Sequence, residues 1–165
     1  MALQEDRESL LRIVRRFEGE AANEETLTLA WSLRQRSRFR TRLDGGPEVG
    51  VFLSRGEVLR DGDRLLADDG RCVRVVAACE DVAVARSHDA RELARACYHL
   101  GNRHVPLQIA DGCVRFQPDH VLEDMLRVLG LTVGRETSPF QPEPGAYGQA
   151  GHSHPHDHAH EPSHD

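Results

Sequence analysis

Between Cys97 and Ile109 the chain changes its hydrophobic period, and that change limits the folds open to it. Leu93, Ala94, Cys97 and Leu100 recur on the one-sided spacing of an amphipathic helix, and Gly101 follows as a residue that ends helices without a Cβ penalty. Beyond it Val105, Leu107 and Ile109 alternate with His104, Pro106 and Gln108, as side chains do on a pleated strand. The pattern predicts a helix over 89–100, led by Ser87 or His88, then a strand over 104–109. That strand would present the His104 imidazole outward from a rigid backbone.

The flanking sequence extends this pattern. A strand is expected over 82–86, and Asp111-Gly112 turns the chain into another over 113–116. Pro118 and Asp119 open a helix running to Leu129, with Val121, Leu122, Met125, Leu126 and Leu129 on one face and Gly130 as its stop. A strand over 131–135 completes the order βαββαβ, that of a ferredoxin-like domain, whose two helices cover one sheet face and leave the other for a partner.

Before Glu80-Asp81 the chain is strand-like and turn-rich. Leu27, Leu29, Trp31 and Leu33 alternate as in a half-buried strand. Asp44-Gly45-Gly46, Asp61-Gly62-Asp63 and Asp68-Asp69-Gly70 are turns, because glycine accepts the positive φ they require. Short strands over 49–53, 58–59, 65–67 and 72–78 fill the intervals, which suits a small all-β barrel or sandwich. Arg34, Arg36, Arg38, Arg40 and Arg42 occupy every second position and would form one basic strand face. That face is either a dock for an acidic partner or a solvated surface over Phe39 and Leu43. The expected class is α+β: an N-terminal all-β domain over 1–79, a ferredoxin-like domain over 80–138, and a disordered His-rich tail over 139–165.

Composition narrows the function. With 165 residues, 39% of them hydrophobic, the chain has the balance of a soluble globular protein. A net charge of −6 argues against general nucleic-acid binding, which needs a basic excess. No apolar run reaches the roughly 18 residues of a membrane span, and the first residues are acidic where a secretory leader would be basic and then apolar. A cytoplasmic location is expected. Cys72, Cys79, Cys97 and Cys113 are irregularly spaced and form no C-x-x-C pair, so four reduced, mostly buried thiols are expected.

The histidines carry the chemistry. His152, His154, His156, His158, His160 and His164 crowd the last fourteen positions, alternating with Ser, Pro, Asp, Ala and Glu rather than forming a tag-like run. Neutral imidazoles suit nickel, copper and zinc, and ligation by an unstructured tail must repay its ordering, so binding there would be multi-site and exchangeable. His154-Pro155-His156-Asp157-His158 is one residue short of the H-x-H-x-D-H run of binuclear zinc hydrolases, and no H-E-x-x-H or phosphate-cradling glycine motif occurs, so no enzyme is expected. His104 alone is either a structural histidine or half of a metal site. A two-fold homodimer whose axis passes near it would pair two imidazoles, and tail histidines would complete the shell. His99 falls opposite the apolar helix face and should be exposed, and His120 sits in the first turn of the second helix; both are auxiliary candidates. His88 reads as structural.

The run Tyr98-His99-Leu100-Gly101-Asn102-Arg103-His104-Val105-Pro106-Leu107-Gln108-Ile109 resembles the signature of the urease accessory protein E (UreE) family. The similarity spans about residues 11–135, through Gln35-Arg36-Ser37-Arg38, Val58-Leu59-Arg60-Asp61-Gly62-Asp63 and Asp119-His120-Val121-Leu122-Glu123-Asp124-Met125-Leu126, and a histidine-rich C-terminus is frequent in the family. The resemblance implies a nickel metallochaperone with a β domain of peptide-binding type and a homodimer formed through the ferredoxin-like domain. It implies that His104 and its symmetry mate hold Ni(2+), while imidazole chemistry alone leaves Zn(2+) or Cu(2+) open as ions bound in vitro. It also implies that nickel passes through an accessory GTPase complex to urease apoprotein. Where some relatives carry H-x-H at the last helix, this chain has Pro118-Asp119-His120, which leaves His120 at most. The alternative is a nickel or zinc storage or sequestration protein acting through its tail. Residues 1–9 look like a charged extension.

Overall fold

The computed structural model describes residues 10–19 and 24–145. Its first unit contains β1 (Leu11–Arg16), β2 (Glu24–Leu29), a one-turn helix α1 (Trp31–Arg34), β3 (Arg38–Arg42), β4 (Glu48–Phe52), β5 (Arg64–Ala67) and β6 (Cys72–Ala77). These strands form one mixed sheet in the order β2-β6-β5-β1-β4-β3. β1 runs parallel to β4 and β2 parallel to β6, while the remaining pairs are antiparallel. The sheet curls until its two ends approach: Asp44, in the β3–β4 turn, receives hydrogen bonds from the Thr28 N–H at 3.1 Å and the Thr28 hydroxyl at 2.8 Å, and its own N–H donates to the Thr26 carbonyl. Inside the curl lie Ile13, Leu27, Val49, Val51, Leu59, Leu65, Val73 and Val75, all without solvent exposure.

Two strand expectations fail in this unit. The alternation of Leu27, Leu29, Trp31 and Leu33 does not continue as a strand, since the Leu33 and Arg34 N–H groups turn back to the Ala30 carbonyl and wind α1. Four apolar residues at alternate positions cannot specify where a strand stops, and here the buried partners of Trp31 lie far away in sequence. Val58-Leu59 forms no strand either; Leu59 is buried in a loop whose N–H donates to the Arg34 carbonyl at 2.8 Å.

The second unit contains β7 (Cys79–Arg86), α2 (Ala90–Gly101), β8 (Gln108–Ala110), β9 (Cys113–Phe116), α3 (His120–Val128) and β10 (Thr132–Pro139), so the order βαββαβ is the one read from the sequence. Its antiparallel sheet runs β10-β7-β9-β8. Ala83, Ala85, Val114 and Phe116 pack against Ala96, Leu100 and Leu126 of the helices. Asp89 caps α2 through the Arg91 N–H, in place of Ser87 or His88, and Asp119 caps α3 through the Val121 and Leu122 N–H groups. Ser87 instead accepts from the Asp89 N–H and donates to Glu92. Ala94 is exposed and Ala96 takes the core position, because a stripe 3.6 residues in period drifts past any strict four-residue spacing. β10 continues to Pro139, four residues past the expected Arg135, and pairs with β7 along its whole length.

The sheet face away from the helices is only partly open, because the two units lock together there. Trp31 of α1, Val82 of β7 and Phe140 form a separate buried cluster, with the Trp31 and Phe140 rings edge to face at 6.1 Å. Arg34, expected on an exposed stripe, is fully buried beside them. Its guanidinium donates to the carbonyls of Leu29, Leu59 and Phe140 and stacks over Trp31. Burial lowers the Arg34 pKa from its ordinary value, while Glu80 and Asp61 oppose that shift. Glu80 also accepts the Trp31 N–H at 2.8 Å, which ties the start of α1 to β7. No helix among the described residues is long and apolar enough to cross a membrane.

Candidate metal site

His104 does not open a strand. It occupies the left-handed region, with φ of 55°, and among the described residues no other non-glycine has a positive φ. The Val105 N–H donates to the Leu100 carbonyl at 3.2 Å and the His104 N–H to the Gly101 carbonyl at 2.9 Å. Those two bonds, six-to-one and five-to-two, make the Schellman ending of a helix, with His104 in the slot where glycine is usual. Gly101 is therefore the last helical residue and not the breaker. Val105 packs into the cluster that holds Leu100, which completes the arrangement. Holding an L-residue there costs on the order of 1 kcal/mol.

The slot projects the imidazole from the rigid end of α2, and His104 is exposed, as expected but for a different backbone reason. It lines a cleft of about 870 Å³ between the two units. Val105 and Leu107 form its own wall, while Trp31, Val58 and Arg60 face them from the β unit. The segment after β10 returns to this cleft: the Glu143 N–H donates to the Leu107 carbonyl, and Glu143, Pro144 and Gly145 line the same space. Ile109, expected on the core side, stays half exposed at the rim because β8 is an edge strand of only three residues.

The remaining candidates lie apart from this cleft or outside the described residues. His99 is half buried rather than exposed; its ring meets Tyr98 edge to face, and it lines a small apolar depression with Met125 and Val128 of α3 and Leu129 just beyond it. His120 is exposed at the first position of α3. His152, His154, His156, His158, His160 and His164 lie outside the described residues. No group of three or more His, Cys, Asp or Glu side chains able to hold a metal ion occurs among the described residues. The four cysteines are free; Cys72 and Cys113 are buried and Cys97 half buried, but Cys79 is exposed at the start of β7. Sequence reasoning missed Trp31 and Arg60 as cleft residues, and no local signal marks them.

Two family models meet head to tail on this chain: the N-terminal domain of the UreE urease accessory protein matches residues 4–78, and its C-terminal domain matches residues 80–165. The chain belongs to the UreE family. A urease accessory protein UreE from Alkalilimnicola ehrlichii is 60% identical over 139 residues, covering 84% of this chain and 85% of that protein. UreE proteins of Burkholderia vietnamiensis and Burkholderia thailandensis are 57% and 56% identical over 132 residues, 80% of this chain in each case. The alignment covers only 66% and 62% of those two longer relatives. As a UreE family member the chain is an accessory protein of urease maturation.

Proposed function

We propose that the chain is a nickel metallochaperone, homodimeric through its ferredoxin-like domain, that carries Ni(2+) on His104 and the same residue of a second copy. The observation that carries this reading is the exposed imidazole in a left-handed helix-ending slot of a urease accessory family member. A single imidazole cannot hold a transition ion, and a two-fold axis near His104 doubles the ligands without further sequence. The six histidines from His152 to His164 recruit ions and buffer the site, because neutral imidazoles suit nickel. The ion then passes through the accessory GTPase complex to urease apoprotein in the cytoplasm. We take residues 1–79 as the peptide-binding β domain, 80–138 as the metal-binding domain and 139–165 as the tail. Each ligand must be deprotonated to bind, so affinity falls in acid.

Equilibrium dialysis against nickel tests the ligand roles. A chain ending at Pro144 should bind fewer ions yet keep one tight site per dimer, whereas His104→Ala should lose that site; tight binding that survives His104→Ala overturns the assignment. The storage alternative separates in a defined mixture of urease apoprotein, accessory GTPase complex and limiting nickel. A donor raises urease activation above the mixture without it, and equal activation in both removes the chaperone reading.

A further inference from the structure

The arginine stripe is not used by the nickel reading, and the structure divides it. Arg34 turns inward, but Arg38, Arg40 and Arg42 stand exposed on one face of β3. The register places Arg38 opposite Phe52 and Arg40 opposite Gly50 of β4, and Gly50 in turn opposite Arg12 of β1. This outer face is flat where it needs to be: a Cβ on Gly50 would sit 2.7 Å from the Phe52 ring, which lies across it and carries the Arg12 guanidinium at 4.7 Å. Next to Arg38, a depression is lined by Arg36, Arg38, Arg55 and Ser37, with no carboxylate in its wall.

Elsewhere among the described residues many arginines are neutralised, although Arg15, Arg60, Arg91, Arg95 and Arg103 form no ion pair. Arg16 pairs with Glu57 and Asp63, Arg71 with Glu25 and Asp69, Arg86 and Arg115 with Glu136, and Arg127 and Arg135 with Glu123. On the β3 face, among the described residues, only Arg42 has an ion-pair partner, Glu48 at 2.7 Å. Arg36, Arg38, Arg40 and Arg55 pair with no carboxylate among the described residues. Acid is not scarce, since the chain has 27 Asp and Glu against 21 Lys and Arg. Its net charge of −6 would repel an extended polyanion such as nucleic acid, so the patch suits a short local complement.

Resting on the reading of residues 1–79 as a peptide-binding domain, we propose that the outer face of β1, β4 and β3, centred on Arg38 and Arg40, docks an extended acidic segment of a partner protein that carries carboxylates at alternate residues. Alternate residues on β3 are about 6.8 Å apart, and an extended peptide repeats its side chains at the same interval, so carboxylates fall in step with Arg38 and Arg40. Phe52 supplies apolar contact between them, and guanidinium–carboxylate pairs supply directed bonds. This surface is separate from the His104 cleft and needs no metal.

The probe is a fluorescein-labelled eight-residue peptide of alternating Glu and Thr, titrated by anisotropy with the full metal-free chain. Binding should weaken about tenfold or more in the exposed double variant Arg38→Glu/Arg40→Glu, whose folding is checked by circular dichroism, and should weaken as salt rises from about 0.05 to 0.2 M. A peptide of the same composition with its glutamates in one block should bind more weakly. No binding of the alternating peptide, equal binding by the double variant, or equal binding of the blocked peptide overturns the proposal. So does tighter binding of an oligonucleotide of equal charge. A chain starting at Leu10 that binds the probe much more tightly would assign the face to the chain's own Glu5-Asp6-Arg7-Glu8 and overturn it as well.

Discussion

The helices α2 and α3 stop by the same device but with different residues in its critical slot. In α3 the Leu131 N–H donates to the Leu126 carbonyl at 3.1 Å and the Gly130 N–H to the Arg127 carbonyl at 3.0 Å, the same pair of bonds that Val105 and His104 make at the end of α2. The slot residue has φ of 97° in Gly130 and 55° in His104. Glycine enters that conformation without a Cβ penalty, so backbone geometry alone accounts for Gly130. It does not account for His104, where glycine would serve the helix better. On the proposed reading the imidazole serves as a ligand outside the helix, which accounts for an L-residue in a glycine slot.

Exchanging the two slots tests that contrast. The largest effect is expected from His104→Gly, which keeps the helix ending and removes the proposed ligand: nickel titration should show loss of the tight site, and a retained site would break the contrast outright. Gly130→His should leave nickel binding intact but destabilise the fold by about 1–3 kcal/mol in urea unfolding. Its Cβ would lie 2.8 Å from a carboxylate oxygen of Glu92, whose other oxygen accepts the Ser87 hydroxyl at 2.6 Å. The two helix starts serve as the control, since both are Asp caps; Asp89→Ala and Asp119→Ala should each cost about 1 kcal/mol, and a large inequality would mean the helices are not comparable. The smallest effect is the stability of His104→Gly itself, expected to rise by up to about 1 kcal/mol as strain is relieved. A fall would show that the imidazole makes stabilising contacts in the metal-free chain.

A second contrast lies within the arginine stripe. Arg34 and Arg38 look alike in the sequence, four residues apart on one alternating pattern, yet one is buried against three carbonyls and the other stands in solvent. What separates them is the Phe140 carbonyl, more than a hundred residues away in sequence. Replacing Arg34 would leave buried carbonyls unpaired at about 1–3 kcal/mol each, whereas the exposed arginines can be changed at little cost to the fold.

The sequence by itself determined the order of elements in the βαββαβ unit, the aspartate before α3, Gly130 as its stop and the turns at Asp44-Gly45-Gly46 and Asp68-Asp69-Gly70. These depend on side-chain period and local backbone preference, which act between near neighbours. It also singled out His104, but through a strand that does not exist: alternating apolar residues after a helix read the same whether the backbone is pleated or is leaving a Schellman turn. Only the tertiary structure decided that His104 adopts a left-handed conformation, that Trp31 and Arg34 wind into a helix instead of continuing β2, and that the His104 cleft is walled by both units. Those outcomes rest on contacts between residues distant in the chain, such as Trp31 with Phe140 and Glu143 with Leu107, whose energy no local pattern records.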